Sequence, residues 1–279
     1  MRRVRLPDGM AAAVRSVLGG MAQPAAPRDA ATVMLLRPAD GGRSFEVYML
    51  RRKPTMAFAP GACVFPGGSV DSRDADEDLA WAGPPPEQWG RVLGAPPELA
   101  RALVCAAVRE TFEESGVLLA GPSHQEVVAD ATAGEWEADR RALLDRTMSL
   151  AQLLARRGLI LRSDLLRAWS RWITPVIEPR RFDTRFFTAA LPAGQRTRDV
   201  GGEASAVRWI TPAAALDLAR AGQIDLWLPT AVTLGELARH PDAGSVLAAA
   251  RTVTPLLPEL TEADGALWLT VPGGLEYPL

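Results

Sequence analysis

Two early runs are apolar at most positions and partly β-branched: 31–37 (Ala-Thr-Val-Met-Leu-Leu-Arg) and 45–51 (Phe-Glu-Val-Tyr-Met-Leu-Arg). Runs of this length and make-up predict strands. Asp40, Gly41 and Gly42 between them predict a hairpin turn, since glycine reaches the positive φ that a tight reversal needs. A third strand is expected at 61–65, closed by a sharp turn at Pro66, Gly67 and Gly68. Residues 72–97 are acidic and proline-rich, which predicts a loop with a short helix around 76–82.

Residues 98–115 predict a helix, with Leu99, Leu103, Ala106 and Phe112 near a 3.6-residue period and Gly116 placed as its C-cap. Residues 123–171 read as helical throughout: 143–155 is amphipathic, and Ser163 is a plausible N-cap for a helix through 170. Strand character returns at 172–177, 181–191 and 204–210. Thr211 and Pro212 then start a helix, as N-cap and first helical residue. Further helices are expected at 230–239 and 243–251, and a last strand at 267–271. The pattern predicts one α/β (α+β) domain over 1–279, a mixed sheet between helices. Insertions are placed at 72–97 and 123–171, and a helical extension at 229–279.

Composition narrows the function. The 279 residues are 48% hydrophobic, enough for a sizeable core, and the formal net charge of −2 leaves no basic footprint for nucleic acid. Lys53 is the single lysine, which excludes a Gly-Lys-Ser/Thr phosphate loop. Phosphate chemistry would have to use arginine, backbone amides and metal. Cys63 and Cys105 sit among apolar neighbours and read as small buried hydrophobes in a reducing compartment. No apolar run reaches the roughly 18 residues of a membrane span. Asp8 and Arg15 interrupt the segment after the basic Arg2, Arg3 and Arg5, which argues against a signal peptide. A cytoplasmic enzyme without nucleic-acid or membrane partners is the expectation.

The chemistry concentrates at 109–117, Arg-Glu-Thr-Phe-Glu-Glu-Ser-Gly-Val. Glu110, Glu113 and Glu114 are three and four apart, neighbours on a helix. Like charges at that spacing repel, and a divalent cation that prefers carboxylate oxygens would offset this. The bland alternative is a solvated acidic face. Arg109, four before Glu113, can buttress one carboxylate. Arg51, Arg52 and Arg181 are candidates for phosphate contacts or ordinary strand-edge charges. Asp183 either orients an arginine or is exposed. His124 and His240 are isolated and read as surface residues. Trp172 and Trp209 are core or rim residues that could stack on a base.

Gly67 and Gly68 followed by Arg-Glu-x-x-Glu-Glu-x-Gly resemble the Nudix box, Gly-x5-Glu-x7-Arg-Glu-U-x-Glu-Glu-x-Gly-U, where U is a bulky aliphatic. Arg109, Glu110, Glu113, Glu114, Gly116 and Val117 match its second half, with Thr111 at the first U. The gap between Gly68 and Arg109 is oversized, and position 101, eight before Arg109, is arginine where the consensus has glutamate. Asp71, Asp74 or Glu98 could substitute, but three carboxylates are expected to suffice. A box split here resembles the branch with the peroxisomal coenzyme A diphosphatases. Residues 58–68, residues 181–187 and Leu228-Pro229-Thr230 look similar to that branch. Its coenzyme A signature is partial: Arg52 and Gly61 fit the spacing before Phe65, and Ala57 stands at an intermediate arginine position.

The resemblance implies a Nudix fold and a diphosphatase needing Mg²⁺ or Mn²⁺. It implies metal on Glu110, Glu113 and Glu114, with Glu203, in Gly201-Gly202-Glu203, as a further ligand or a plain turn residue. Glu110 or Glu203 would be the general base, and Arg109 would orient a carboxylate. Gly67 and Gly68 would approach metal and phosphate, with Arg52 and Arg181 on the substrate. A nucleotide substrate is implied, coenzyme A or acyl-coenzyme A first. The alternatives are a broader nucleotide-sugar or dinucleotide diphosphatase and a non-catalytic nucleotide-binding module. A homodimer is compatible with the reading.

Overall fold

The computed structural model describes residues 3–5, 14, 23–56, 59–76, 78–198, 204–263, 266–271 and 275–279. Its strands are Arg3–Arg5 (β1), Arg28–Ala39 (β2), Ser44–Arg52 (β3), Cys63–Val64 (β4), Gly67–Ser69 (β5), Trp81–Ala82 (β6), Ala120–Gly121 (β7), Ile160–Arg162 (β8), Leu166–Ile173 (β9), Phe182–Ala190 (β10), Ala204–Ile210 (β11), Pro255–Leu256 (β12), Glu259–Ala263 (β13) and Ala266–Thr270 (β14). Its α-helices are Pro86–Leu93 (α1), Pro97–Ser115 (α2), Gly134–Leu144 (α3), Leu150–Arg157 (α4), Pro212–Arg220 (α5), Leu228–Leu237 (α6) and Ala243–Ala248 (α7).

The main sheet runs β11-β3-β2-β10-β9-β12, with β4 beside β3 and β5 beside β2. It is mixed: β10 lies parallel to β2, while β3 and β9 run antiparallel to their neighbours β2 and β10. The period-2 pattern along β2 divides the core. Ala31, Val33 and Leu35 pack with α2, whereas Met34 and Leu36 pack with α5, α6 and α7 on the other face. The sheet is thus buried on both sides, which explains why β2 is nearly continuous in apolar residues.

The helix α2 is more buried than a one-sided apolar stripe predicts. Ala102, Leu103, Val104, Cys105, Ala106, Ala107 and Val108 are all buried. Its inner side packs on β2, and α1, α3 and the turn at Ser72–Ala75 cover other faces. Truncating a fully buried leucine such as Leu103 to alanine typically costs about 2–5 kcal/mol.

Several expectations are corrected. The segment 123–171 is not helical throughout: β8 and most of β9 lie within it, and its α-helices are α3 and α4. Ser163 opens a single 3-10 turn, and Leu166–Ile173 is a strand because it pairs with β10 along most of its length. That strand ends at Ile173, well short of residue 177. In 72–97 the helix is Pro86–Leu93, with Pro86 in its first turn, and not 76–82. Gly67 and Gly68 are strand rather than turn, paired with Thr32 and Ala31. The C-terminal extension carries strands as well as helices, and β14 agrees with the strand expected at 267–271. Among the described residues no helix is long and apolar enough to cross a membrane.

Candidate active site

The site begins where two strands part. β2 pairs with β3 only through Leu36 to Ala39; nearer its start, Ala30 to Thr32 pair instead with Ser69 to Gly67. β3 meanwhile pairs at Leu50 and Arg51 with β4. Two short strands thus occupy the opening between longer ones, and a cleft of about 960 Å³ lies there. Small-molecule sites span roughly 300–1,000 Å³, so this one has room for a nucleotide with a further moiety. Gly67, Gly68, Arg52, Glu110, Glu113 and Glu114 all line it.

The last turns of α2 are held from several directions. Gly116 takes φ 75°, the left-handed cap conformation, and its N–H bonds to the Phe112 carbonyl. The buried Arg140 donates to the Glu113 carbonyl at 2.9 Å, placing a cation at the negative end of the helix. Thr111 at the first U position is fully buried and donates to the Ala107 carbonyl at 2.7 Å, so its hydroxyl is satisfied.

Arg109, 8% exposed, is the hub. Its Nε and Nη2 donate to the two oxygens of Asp74, each at 2.9 Å. Nη2 also donates to the Ser69 carbonyl at 3.0 Å. Nη1 donates to Glu110 Oε1 at 2.7 Å and to Glu113 Oε1 at 3.3 Å. Burial alone would favour loss of the Arg109 proton, but Asp74, Glu110 and Glu113 outweigh it and hold the guanidinium charged.

Asp74 is the acid of the extra segment that meets Arg109. It is 3% exposed and belongs to the 3-10 turn Ser72–Ala75, where it also accepts the Asp71 N–H at 2.8 Å. Counted forward from Gly68, five residues intervene before Asp74, the Gly-x5-acid spacing of the box. Counting backward from Arg109 leads instead to Arg101, whose guanidinium lies 5.8 Å from the Trp81 ring. The extra length of the box therefore follows its first acid instead of preceding it. Asp71 keeps a neighbouring place in the cleft, where Arg73 holds its carboxyl well below the usual range.

The two glycines meet the glutamates directly. Gly67 N–H donates to Glu114 Oε2 at 2.8 Å. A Cβ on Gly68 would sit 2.3 Å from Glu110 Oε1 and 2.5 Å from its Cδ, so the absent side chain is the space the carboxylate fills. Burial pushes Glu110 up to about 7, against the opposing pull of Arg109, and raises Glu113 likewise. Glu110 and Glu113 share the Arg109 guanidinium with Asp74, and burial leaves the ionised forms of the two glutamates under-compensated. An all-oxygen donor set short of positive charge suits a hard divalent cation. Among the described residues no three acidic, histidine or cysteine side chains already surround one point; Glu110 and Glu113 turn to Arg109 instead. The residues fit the ion in chemistry and charge.

Other expected residues divide. Arg52 is on the cleft wall, but Arg181 is not: it donates to the carbonyls of Thr174 and Ala25 at 3.0 and 2.8 Å. Its neighbour Arg180 lines the cleft, as does Arg28. Gly201, Gly202 and Glu203 lie outside the described residues, as do Ala57 and Phe58; Ala204, the next residue after Glu203, borders the cleft. Trp172 and Trp209 are away from it, the latter against Tyr48 at 5.4 Å. His124 is exposed, whereas His240 is half-buried edge-on to Trp169. Both cysteines are buried and unpaired.

The NUDT19 Nudix domain family matches residues 87–239, more than half of the chain. An acyl-coenzyme A diphosphatase NUDT19 of Gallus gallus is 29% identical, over 90% of this chain and 80% of its own length. Its Xenopus laevis counterpart is also 29% identical, and the chain spans 57% of that protein. A Caenorhabditis elegans nudix hydrolase is 30% identical, over 83% of this chain and 69% of its own. The solved structure of a Nudix hydrolase from Alicyclobacillus acidocaldarius has a TM-score of 0.69 at 29% identity, over 81% of this chain and 98% of that one. These matches, on a fold that brings both halves of the interrupted motif to Arg109, place the chain in the Nudix hydrolase family.

Proposed function

We propose that the chain hydrolyses the diphosphate linkage of coenzyme A or an acyl-coenzyme A. One observation carries this: the glutamates beside Gly67 and Gly68 line the same cleft as arginines, Arg52 among them. Carboxylates for a cation beside guanidinia for phosphate oxygens suit a diphosphate, whose cleavage depends on positioning and charge neutralisation. The coenzyme A derivative is the choice because it is the one that the chicken and frog relatives are named for.

Glu110, Glu113 and Glu114 would hold the cation, with Glu203 a further candidate ligand. Bound there, Mg²⁺ or Mn²⁺ would supply charge neutralisation on the diphosphate and a lowered pKa for water. Arg109 fixes the rotamers of Glu110 and Glu113 and is itself fixed by Asp74. Glu110, pressed against Gly68, is the candidate base that takes the proton of the attacking water, with Glu203 the other. Arg52 would bind substrate phosphate. The acid missing at Arg101 has a counterpart in Asp74 on Arg109, which favours the catalytic reading over a non-catalytic binding module. The test is to incubate purified protein with Mg²⁺ or Mn²⁺ and coenzyme A, NADH, ADP-ribose or diadenosine polyphosphates. Cleavage of coenzyme A at its diphosphate is expected; turnover of ADP-ribose but not coenzyme A would overturn the substrate assignment.

A further inference from the structure

One end of the cleft carries two guanidinia that the proposed chemistry leaves unused. Arg28 opens β2 and Arg180 lies just before β10; both are exposed and both line the cleft. They share one end of it because Arg28 pairs in register with Phe182, and its N–H bonds to the Arg181 carbonyl at 2.9 Å. Neither guanidinium has a hydrogen bond or ion pair among the described residues. The neighbouring carboxylate is already committed: Asp29 accepts from Arg185 Nη1 at 2.8 Å. Arg185 is 1% exposed and is fixed in turn by Asp183 at 3.0 Å, which also binds Arg171 through two bonds of 2.9 and 2.6 Å. The buried Arg185 thus draws Asp29 away, and among the described residues no other carboxylate holds Arg28 or Arg180.

The register sets the span. Ala31 stands opposite Gly68, and Arg28 is three residues earlier on the same strand. At about 3.3 Å per residue, Arg28 lies roughly 10 Å along β2 from the glutamate wall. A diphosphate seated at that wall would put one half of its substrate at this end of the cleft. We propose that Arg28 and Arg180 form a second phosphate subsite, which takes a phosphomonoester on the ribose of the nucleoside, as in the 3′-phosphate of coenzyme A. This rests on the coenzyme A reading and adds the group by which such a substrate is told from an ordinary adenosine diphosphate derivative.

The test uses binding as well as turnover. Affinities of the full-length protein for adenosine 3′,5′-bisphosphate and adenosine 5′-monophosphate are measured by calorimetry. The same comparison is made for Arg28→Ala, Arg180→Ala and the double variant. Arg37→Ala, whose partner is Glu46 on β3, serves as a control. The bisphosphate is expected to bind at least about tenfold tighter, each charged contact being worth that order, and the double variant to lose the preference. Kinetics on coenzyme A and 3′-dephospho-coenzyme A should show the same loss through KM, with kcat on the dephospho substrate kept. Equal binding of the two nucleotides by the unmodified protein, or a preference that survives the double substitution, overturns the subsite. Absence of hydrolysis with an arginine-dependent binding preference would instead overturn the diphosphatase reading and leave the subsite standing.

Discussion

Gly68 and Glu110 are packed so closely that a methyl group on the glycine would lie 2.3 Å from a carboxylate oxygen. The clash is with the far end of a side chain and not with backbone, so Gly68→Ala should push the carboxylate out of place at less expense to folding than a backbone clash would bring. The expected outcome is a loss of kcat of about 100-fold or more, the scale seen when a reacting group is misplaced by an ångström, with the melting temperature nearly unchanged. Gly67→Ala should do the reverse, because its Cβ would meet the backbone at the Ala31 carbonyl and Thr32 Cα, at 2.5 and 2.8 Å. Overpacking of that kind costs about 1–3 kcal/mol. Denaturation and steady-state kinetics on the pair would show the split, and a fold equally weakened in both would count against it.

Removing Asp74 takes the bidentate partner from a buried guanidinium and leaves its Nε unmet, with Glu110 and Glu113 remaining on Nη1. Asp74→Ala is expected to destabilise by about 3–5 kcal/mol, the range for breaking a buried ion pair from one side. Arg101→Glu, which restores the consensus letter at the wrong place, should rescue nothing in the Asp74→Ala background. Restored stability or activity in the double variant would mean that Arg101, and not Asp74, holds the position.

Glu113→Gln keeps the shape and can still accept from Arg109, but gives up the charge. Its turnover is expected to fall by about 100-fold or more, as when a group acting on transition-state charge is lost, with folding intact by circular dichroism. Near-normal turnover would remove Glu113 from the proposed ligand set. Glu203→Gln under the same assay reports whether a carboxylate outside the helix is also needed.

The buried glutamates predict an unusual pH dependence in chelator. Glu110 ionises near 7 in the fold against an ordinary 4.5, so the folded chain holds a proton that the unfolded chain releases. Between those values stability falls as pH rises. Asp71 and Glu137, both lowered by arginine partners, act in the other direction but at more acid pH. Chemical denaturation from pH 5 to pH 8 in EDTA should therefore show declining stability. Glu110→Gln should flatten the decline, and excess Mg²⁺ should stabilise most at the alkaline end. Stability that climbs from pH 5 to pH 7 in EDTA would contradict the assignment.

The helix α2 and the hairpin of β2 and β3 were legible in the sequence, since periodicity, the Gly116 cap and the turn at Asp40 to Gly42 all agreed. The strand β9 was not. Its burial comes from pairing with β10, a tertiary circumstance that local pattern does not carry. Pro86 marked the start of α1, but the surrounding prolines read as loop. Asp74 was readable only by counting from Gly68. Arg180 and Arg181 were separable only by seeing which one the backbone carbonyls of Thr174 and Ala25 had claimed.

The Asp74–Arg109 clasp has a bearing on how this chain tolerates change. It joins the chain just before the extra segment to the helix just after it, so the two halves of the motif are fastened to each other independently of what runs between. Lengthening a flexible connection between fixed ends costs little, about 0.6 kcal/mol for each doubling. The stretch from Asp76 to Pro96 is not interchangeable as a whole, because α1 puts Trp89 and Leu93 into the core beside α2; added length is best borne at its exposed turns, such as the one at Gly94, while the clasp keeps the catalytic wall in shape.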